Sequence, residues 1–214
     1  KVAKGKEPKW KDEYIPLMKE HDVPDWYIKS CEKIKYMFPK AHAAAYVTNA
    51  FRIAWFKVHI PLAYYAAYFS IRAKAFDASC MIFGKEKVKN KMKEIEMKNQ
   101  KKEATKAELD MYDDLEIVLE MYERGFEFLP VDIYESEATK FKIQDNKLRP
   151  PLNSIPGFGG VAAQGIVEAR KDGKFMSIDD LKIRAKIGAS GADLLKQFGC
   201  LEGLSQSNQL SLFG

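Results

Sequence analysis

Between Ile155 and Gly199 the chain repeats one short pattern twice, and this repeat constrains the fold more than any other feature. Ile155-Pro156-Gly157-Phe158-Gly159 is an apolar residue, a turn and two glycines, and Gly160 leads into a helical stretch from Val161 to Arg170. Glycines in such a turn reach backbone conformations closed to other residues and let a ligand approach the main chain. The pattern then returns. Ser177, with Asp180 three positions on, reads as a capping box for a helix to Lys186. Ile187-Gly188-Ala189-Ser190 is the next turn, and Ser190 or Gly191 starts a helix that ends at Gly199. Each turn delivers the chain to a helix start, where several backbone N–H groups point outward together. That geometry binds a phosphate without reading bases. Gly157, Phe158, Gly159, Gly160, Lys186, Gly188, Ala189 and Ser190 are therefore the candidate phosphate-contacting residues, with Lys171, Lys174 and Lys182 as further cations. Phe158 is expected to plug the core rather than stack on a base. A pair of tight helical turns with no ligand is the alternative, and the tandem order argues against it.

The rest of the chain predicts a mainly α fold with a small extended element. Asp12 to Glu20 and Pro24 to Tyr36 read as helices, with Asp22 or Asp25 as cap candidates for the second. Ala41 to Ala73 is the most apolar stretch, but Arg52, Lys57, His59, Pro61 and Arg72 interrupt it, so buried helices are expected rather than a membrane span. Lys85 to Lys106 reads as a solvated amphipathic helix. Leu109 to Arg124 reads as another, closed by Gly125, with Leu115, Val118, Leu119 and Tyr122 on one face. Phe126 to Ile133 and Lys140 to Ile143 look extended. Leu148-Arg149-Pro150-Pro151 marks an expected subdomain joint, and Ser205 to Gly214 a flexible tail.

Charge is uneven along the 214 residues. The net value is +5, but residues 1–106 carry +11, residues 107–150 carry −7 and residues 151–214 carry +1. A polyanion is thus expected on the first half. Cys31, Cys80 and Cys200 are far apart, which suggests neither a disulfide framework nor a zinc site and fits a reducing compartment. The Lys-rich first residues with Trp10 do not resemble a signal peptide, and Lys1 to Lys11 reads as a cut through a longer protein. The adjacent acids Asp113-Asp114 and Asp179-Asp180 are read as surface or capping residues, since neighbouring helical positions diverge and cannot converge on a metal.

The chain closes on Gln209-Leu210-Ser211-Leu212-Phe213. A hydrogen-bonding residue followed by large apolar anchors fits an extended peptide held in an apolar groove. These five residues resemble the bacterial clamp-binding pentapeptide. The two helical units resemble a double helix-hairpin-helix domain. Phe38-Pro39-Lys40-Ala41-His42-Ala43-Ala44-Ala45-Tyr46, then Arg52, Phe56-Lys57-Val58-His59 and Tyr64-Tyr65-Ala66-Ala67-Tyr68-Phe69, resemble the fingers of a replicative polymerase. Arg124-Gly125-Phe126 to Asp132-Ile133 resembles the segment closing the fingers. Together, in this order, they resemble the C-terminal part of the PolC-type DNA polymerase III alpha subunits of Gram-positive bacteria.

The resemblance implies three parts: fingers over residues 1–147, a tandem helix-hairpin-helix domain over 148–204, and a clamp-binding tail over 205–214. It implies duplex DNA, a deoxynucleoside triphosphate and the sliding clamp as partners, and a cytoplasmic, nucleoid-associated location in a bacterium. Lys4, Lys6, Lys40, His42, Tyr46 and Arg52 become the candidate nucleotide-binding residues; Lys40 and His42 stand near a helix start, which favours anions. Ala3 stands where the family commonly has arginine, so one phosphate contact is missing there or supplied from elsewhere. The family's catalytic palm, with its metal-binding aspartates, lies upstream of the matched region. No catalytic residue, metal or cofactor is therefore expected here, although the parent polymerase is expected to use Mg²⁺. A stand-alone adaptor or repair factor that docks on the clamp is the alternative, and a nuclease with a hidden site is a second.

Overall fold

The computed structural model describes residues 9–34, 36–37 and 39–207 and is mainly α-helical, as the sequence predicts. The chain divides into two compact units, Lys1–Trp55 and Phe56–Gly214. The first holds α1 (Lys9–Glu20), α2 (Asp25–Lys33) and most of α3 (Lys40–His59). Neither expected aspartate caps α2. Pro24 occupies that position, without a side-chain bond. Asp22 instead closes α1 in the left-handed conformation, at φ +54°, and Val23 N–H reaches back to the Met18 carbonyl at 2.9 Å. Aspartate tolerates that backbone better than most residues. Asp25 lies in the first turn of α2, where the helix dipole favours its charge.

The expectation that Ala41 to Ala73 is buried throughout fails at α3, none of whose residues is buried. Tyr46, Val47, Phe51, Ile53, Trp55 and Val58 are all exposed. They are spread round the helix rather than along one stripe, so packing on a single side cannot cover them. The expectation holds from α4 (Pro61–Ile71), which Pro61 opens and whose Leu62, Tyr65 and Phe69 are buried.

The second unit has two adjoining cores. The first gathers α4, α5 (Ala78–Met81), α6 (Lys85–Gln100) and α7 (Lys106–Glu123) with a hairpin of β1 (Lys142–Gln144) and β2 (Lys147–Arg149). Phe69, Phe76, Phe128 and Phe141 form its centre, each ring within 4.9–6.1 Å of the other three. Edge-on and tilted contacts of this kind are the favourable ones for aromatic rings. Asp145 and Asn146 turn the hairpin with φ +51° and +57°, the pair of positive values that matches strand twist. Phe126 to Ile133 is less extended than expected: one bridge joins Phe128 to Leu148, and Asp132 folds the chain by accepting from Tyr134 and Glu135 N–H groups.

Helix α7 begins earlier than its apolar periodicity suggests. Thr105 and Glu108 form a reciprocal capping box, a signature that Leu109-based periodicity passes over. On α6, Val88 and Ile95 are buried while several of the lysines pair with glutamates, among them Lys89 with Glu123 at 3.0 Å and Lys98 with Glu94 at 2.9 Å and with Glu108 at 2.6 Å. Asp114 overturns the surface reading: it is buried and accepts the Ala75 N–H at 3.0 Å, whereas Asp113 points out to solvent. Asp180 is buried too, but in the expected cap: its N–H donates to Ser177 Oγ at 3.1 Å and its carboxylate accepts from Met176 N–H.

At Leu148-Arg149-Pro150-Pro151 the chain passes into the second core, through a packed joint. Leu148 is fully buried, and Arg149 donates to Gln144 and to the Pro130 carbonyl at 2.8 and 2.7 Å. The second core is built from residues 152–201 together with Ala78, Val131, Ile133 and Ala138. The expectation of a free tail fails at Ser205 and Gln206, and residues 208–214 lie outside the described residues. Ser205 and Gln206 are hydrogen-bonded across the start of α9 (Ile178–Ala185), because its first N–H groups need acceptors.

Candidate nucleic-acid interface

The first glycine turn follows a 3₁₀ turn at Leu152–Ser154 and enters α8 (Gly160–Ala169); the second joins α9 to α10 (Ala189–Gln197). Gly157 makes the first turn possible with φ +79°. Lys186 does so in the second, at φ +54°, as the residue that closes α9. Glycine stands at the N-cap of both following helices, Gly159 for α8 and Gly188 for α10, and neither offers a side-chain acceptor. The first backbone bonds in those helices run from Ala163 to Gly159 and from Ala192 to Gly188. The N–H groups of Gly160, Val161 and Ala162, and of Ala189, Ser190 and Gly191, thus precede the helical hydrogen-bond ladder and carry the positive end of the dipole.

Both helix starts line one groove of about 520 Å³, bordered by Gly157, Gly159, Val161, Lys186, Gly188 and Ser190. A larger hollow of about 750 Å³ is lined by Arg72 and Lys74 but also by Asp110, Asp113 and Asp114. Three carboxylates repel a phosphate, so the smaller groove is the candidate site. Of the four lysines proposed from sequence, Lys186 alone borders it. Lys171 is paired with Glu168 at 2.5 Å, Lys182 with Asp179 at 3.3 Å, and Lys174 lies 5.9 Å from the Tyr134 ring centre. Phe158 also borders the groove, but its ring is buried, as the core-plug expectation has it, and its N–H bonds the Ile155 carbonyl at 2.9 Å.

Three residues that the sequence reading passed over set the geometry. A Cβ on Gly165 would stand 2.3 Å from the Ala185 carbonyl, so α8 and α9 cross at a distance only glycine permits. Gly191 lets the Phe158 ring within 3.4 Å of where its Cβ would be, which draws α10 onto the first turn. Arg184 donates to the carbonyls of Ala169, Gly173 and Lys174 and so locks α9 onto the end of α8. A glycine inside a helical pattern was the available signal for Gly165; nothing in the sequence separated Arg184 from a solvated cation.

Lys40, His42, Tyr46 and Arg52 all lie exposed on α3. His42 and Tyr46 are one turn apart, with rings 4.6 Å apart. At 100° per residue Lys40 and Arg52 point to other sides, so α3 brings together one pair and not the full set. Lys4, Lys6 and the peptide Gln209, Leu210, Ser211, Leu212 and Phe213 lie outside the described residues. Among the described residues no group of three or more His, Cys, Asp or Glu is placed to hold a metal ion. The three cysteines are free. Among the described residues no helix is long and apolar enough to cross a membrane.

Comparison with known proteins agrees with this geometry. Residues 125–210 match a family model described as a helix-hairpin-helix motif. The chain is 51% identical over all its residues to the DNA polymerase III PolC-type of Clostridium perfringens, and 52% identical over 99% of its residues to that of Bacillus subtilis. It is 53% identical over 94% of its residues to that of Caldanaerobacter subterraneus. In each case it spans 14% of the relative's length. The helical architecture, the paired glycine turns and identity of about half along nearly the whole chain agree, and the chain belongs to the PolC-type DNA polymerase III family, matching its C-terminal region.

Proposed function

We propose that this chain is the part of a bacterial replicative DNA polymerase that supplies fingers, grips the duplex and tethers the enzyme to its sliding clamp. The observation that carries the reading is the groove, which two glycine-capped helix starts share and Lys186 borders. Such a site suits two backbone phosphates of one duplex, because N–H groups and a helix dipole recognise phosphate oxygens and read no base. Hence the DNA contact is independent of sequence. Lys4, Lys6, Lys40, His42, Tyr46 and Arg52 serve the incoming deoxynucleoside triphosphate in the intact enzyme, which uses Mg²⁺ held outside the described residues. Gln209 to Phe213 docks on the clamp. The enzyme works in the cytoplasm, at the nucleoid. Tethering through a ring that encircles DNA, together with a backbone grip, raises avidity by roughly 10²–10⁴ without any new type of contact.

The test is duplex binding by fluorescence anisotropy over a range of salt. Affinity is expected to be weak and indifferent to sequence, with its logarithm falling linearly against the logarithm of salt, by about 0.9 per phosphate engaged. Lys186→Ala should weaken binding equally on all sequences and lower that slope by about 1. Affinity that ignores salt, or a marked preference for one sequence, would refute backbone recognition.

A further inference from the structure

The chain is held at a fixed point shortly before the clamp peptide. Ile178 N–H donates to the Ser205 carbonyl at 2.9 Å and Asp179 N–H to the Gln206 carbonyl at 3.2 Å. Ser205 Oγ reaches the Met176 carbonyl at 3.4 Å, and Ser177 and Ser205 form a parallel bridge. Residues 205 and 206 therefore form a strap across the start of α9, using N–H groups that the helix itself leaves without acceptors. Leu210, the first apolar anchor, follows Gln206 by four residues. An extended chain covers at most about 3.5 Å per residue, so that anchor stays within roughly 14 Å of the strap. A partner that receives Leu210, Leu212 and Phe213 must then come close to the surface around the start of α9.

Two large apolar side chains stand exposed on that surface, Met176 at 70% and Ile183 at 77%. Met176 is the residue whose carbonyl the strap bonds. Ile183 lies one helical turn beyond Asp179 and on the same face. Duplex DNA gains little from such a pair, and the adjacent Asp179 repels phosphate. We infer that Met176 and Ile183 form a second contact surface for the sliding clamp, kept against it by the strap. This rests on the reading of residues 209–213 as the clamp peptide and adds a rigid docking geometry to it.

The experiment is calorimetric titration of a purified Bacillus subtilis sliding-clamp ring into the 214-residue chain, a Met176→Ser/Ile183→Ser double variant, and a chain truncated after Asn208. The double variant is expected to bind the clamp about tenfold more weakly, through loss of apolar burial. It should still bind duplex DNA with an unchanged salt slope, which shows that it is folded. A flexible Gly-Ser insert between Ser207 and Asn208 should shrink the effect of the double substitution, because the surface is then no longer forced against the ring. A double variant that binds the clamp as tightly as the parent overturns the second contact, whatever the truncation shows. A truncated chain that binds as tightly as the parent overturns the peptide reading beneath it.

Discussion

Gly157, Gly159 and Gly165 look alike in the sequence and face different constraints. Gly165 is a contact between helices. A methyl there meets the Ala185 carbonyl at 2.3 Å, so Gly165→Ala should push α8 from α9 and destabilise the protein by about 1–3 kcal/mol, read from urea unfolding. Gly157 is a backbone requirement: its φ of +79° suits no β-branched residue, and Gly157→Val should weaken folding and DNA binding together. Gly159 has φ −70° and open space where a Cβ would lie. Gly159→Val should therefore cost unfolding less than Gly157→Val, losing only the favourable glycine N-cap of α8, while its side chain obstructs the groove and lowers duplex affinity. Equal unfolding losses for Gly157→Val and Gly159→Val would contradict this division. Asp114 is a different case. Burial, with Asp113 and Asp110 nearby, raises its pKa against the opposing Ala75 N–H bond. A carboxyl with a raised folded pKa contributes most below the ordinary carboxylate range, and that contribution is lost as pH rises through the folded value. Asp114→Asn keeps an acceptor for Ala75 and should flatten this part of the pH dependence, seen as a stability difference from the parent that changes across the acidic range.

At the scale of elements, the α6–α7 pair ties part of the Lys-rich stretch into the protein's own charge network. Its lysines Lys85, Lys89, Lys91 and Lys98 are engaged with Glu123, Glu94 and Glu108 of the same helical pair. Glu108 is the node: its bond from Lys98, and then those from Thr105, lower its pKa to about 2. A depressed carboxylate contributes stability above its ordinary pKa, and the contribution disappears as pH falls through about 2. Glu108→Gln should therefore reduce the stability gap from the parent as the medium becomes acid, while Thr105→Ala should cost about 1 kcal/mol at neutral pH through loss of the cap. Both are measurable by urea unfolding at several pH values. The capping box was legible, since Thr105 and Glu108 have the required spacing; the periodicity of α7 drew attention to Leu109 instead. The pairs within α6, Lys91 and Lys98 with Glu94, have legible spacing; those of Lys85 and Lys89 with Glu123 do not, because they join residues distant in sequence.

For the molecule as a whole, the expected behaviour of the isolated chain is binding without synthesis. The proposed assignment to fingers, hairpins and tail predicts that with primed DNA, Mg²⁺ and all four nucleotides it extends no primer. Incorporation above background by a pure sample would sink the assignment to fingers, hairpins and tail. The mainly helical class, both glycine turns, the helix ends at Gly125 and Gly199 and the burial of Phe158 all followed from local rules of backbone freedom and periodicity. Those rules act over a few residues and need no partner. The groove itself depended on tertiary structure: the Gly165–Ala185 crossing and the Arg184 clasp set two distant turns side by side. So did the burial of Asp114 and Asp180, the strap at Ser205 and Gln206, and the exposure of α3, whose apolar sequence alone predicted the opposite. Burial and convergence depend on which surfaces meet, and those meetings join residues whose separation along the chain carries no periodic signal.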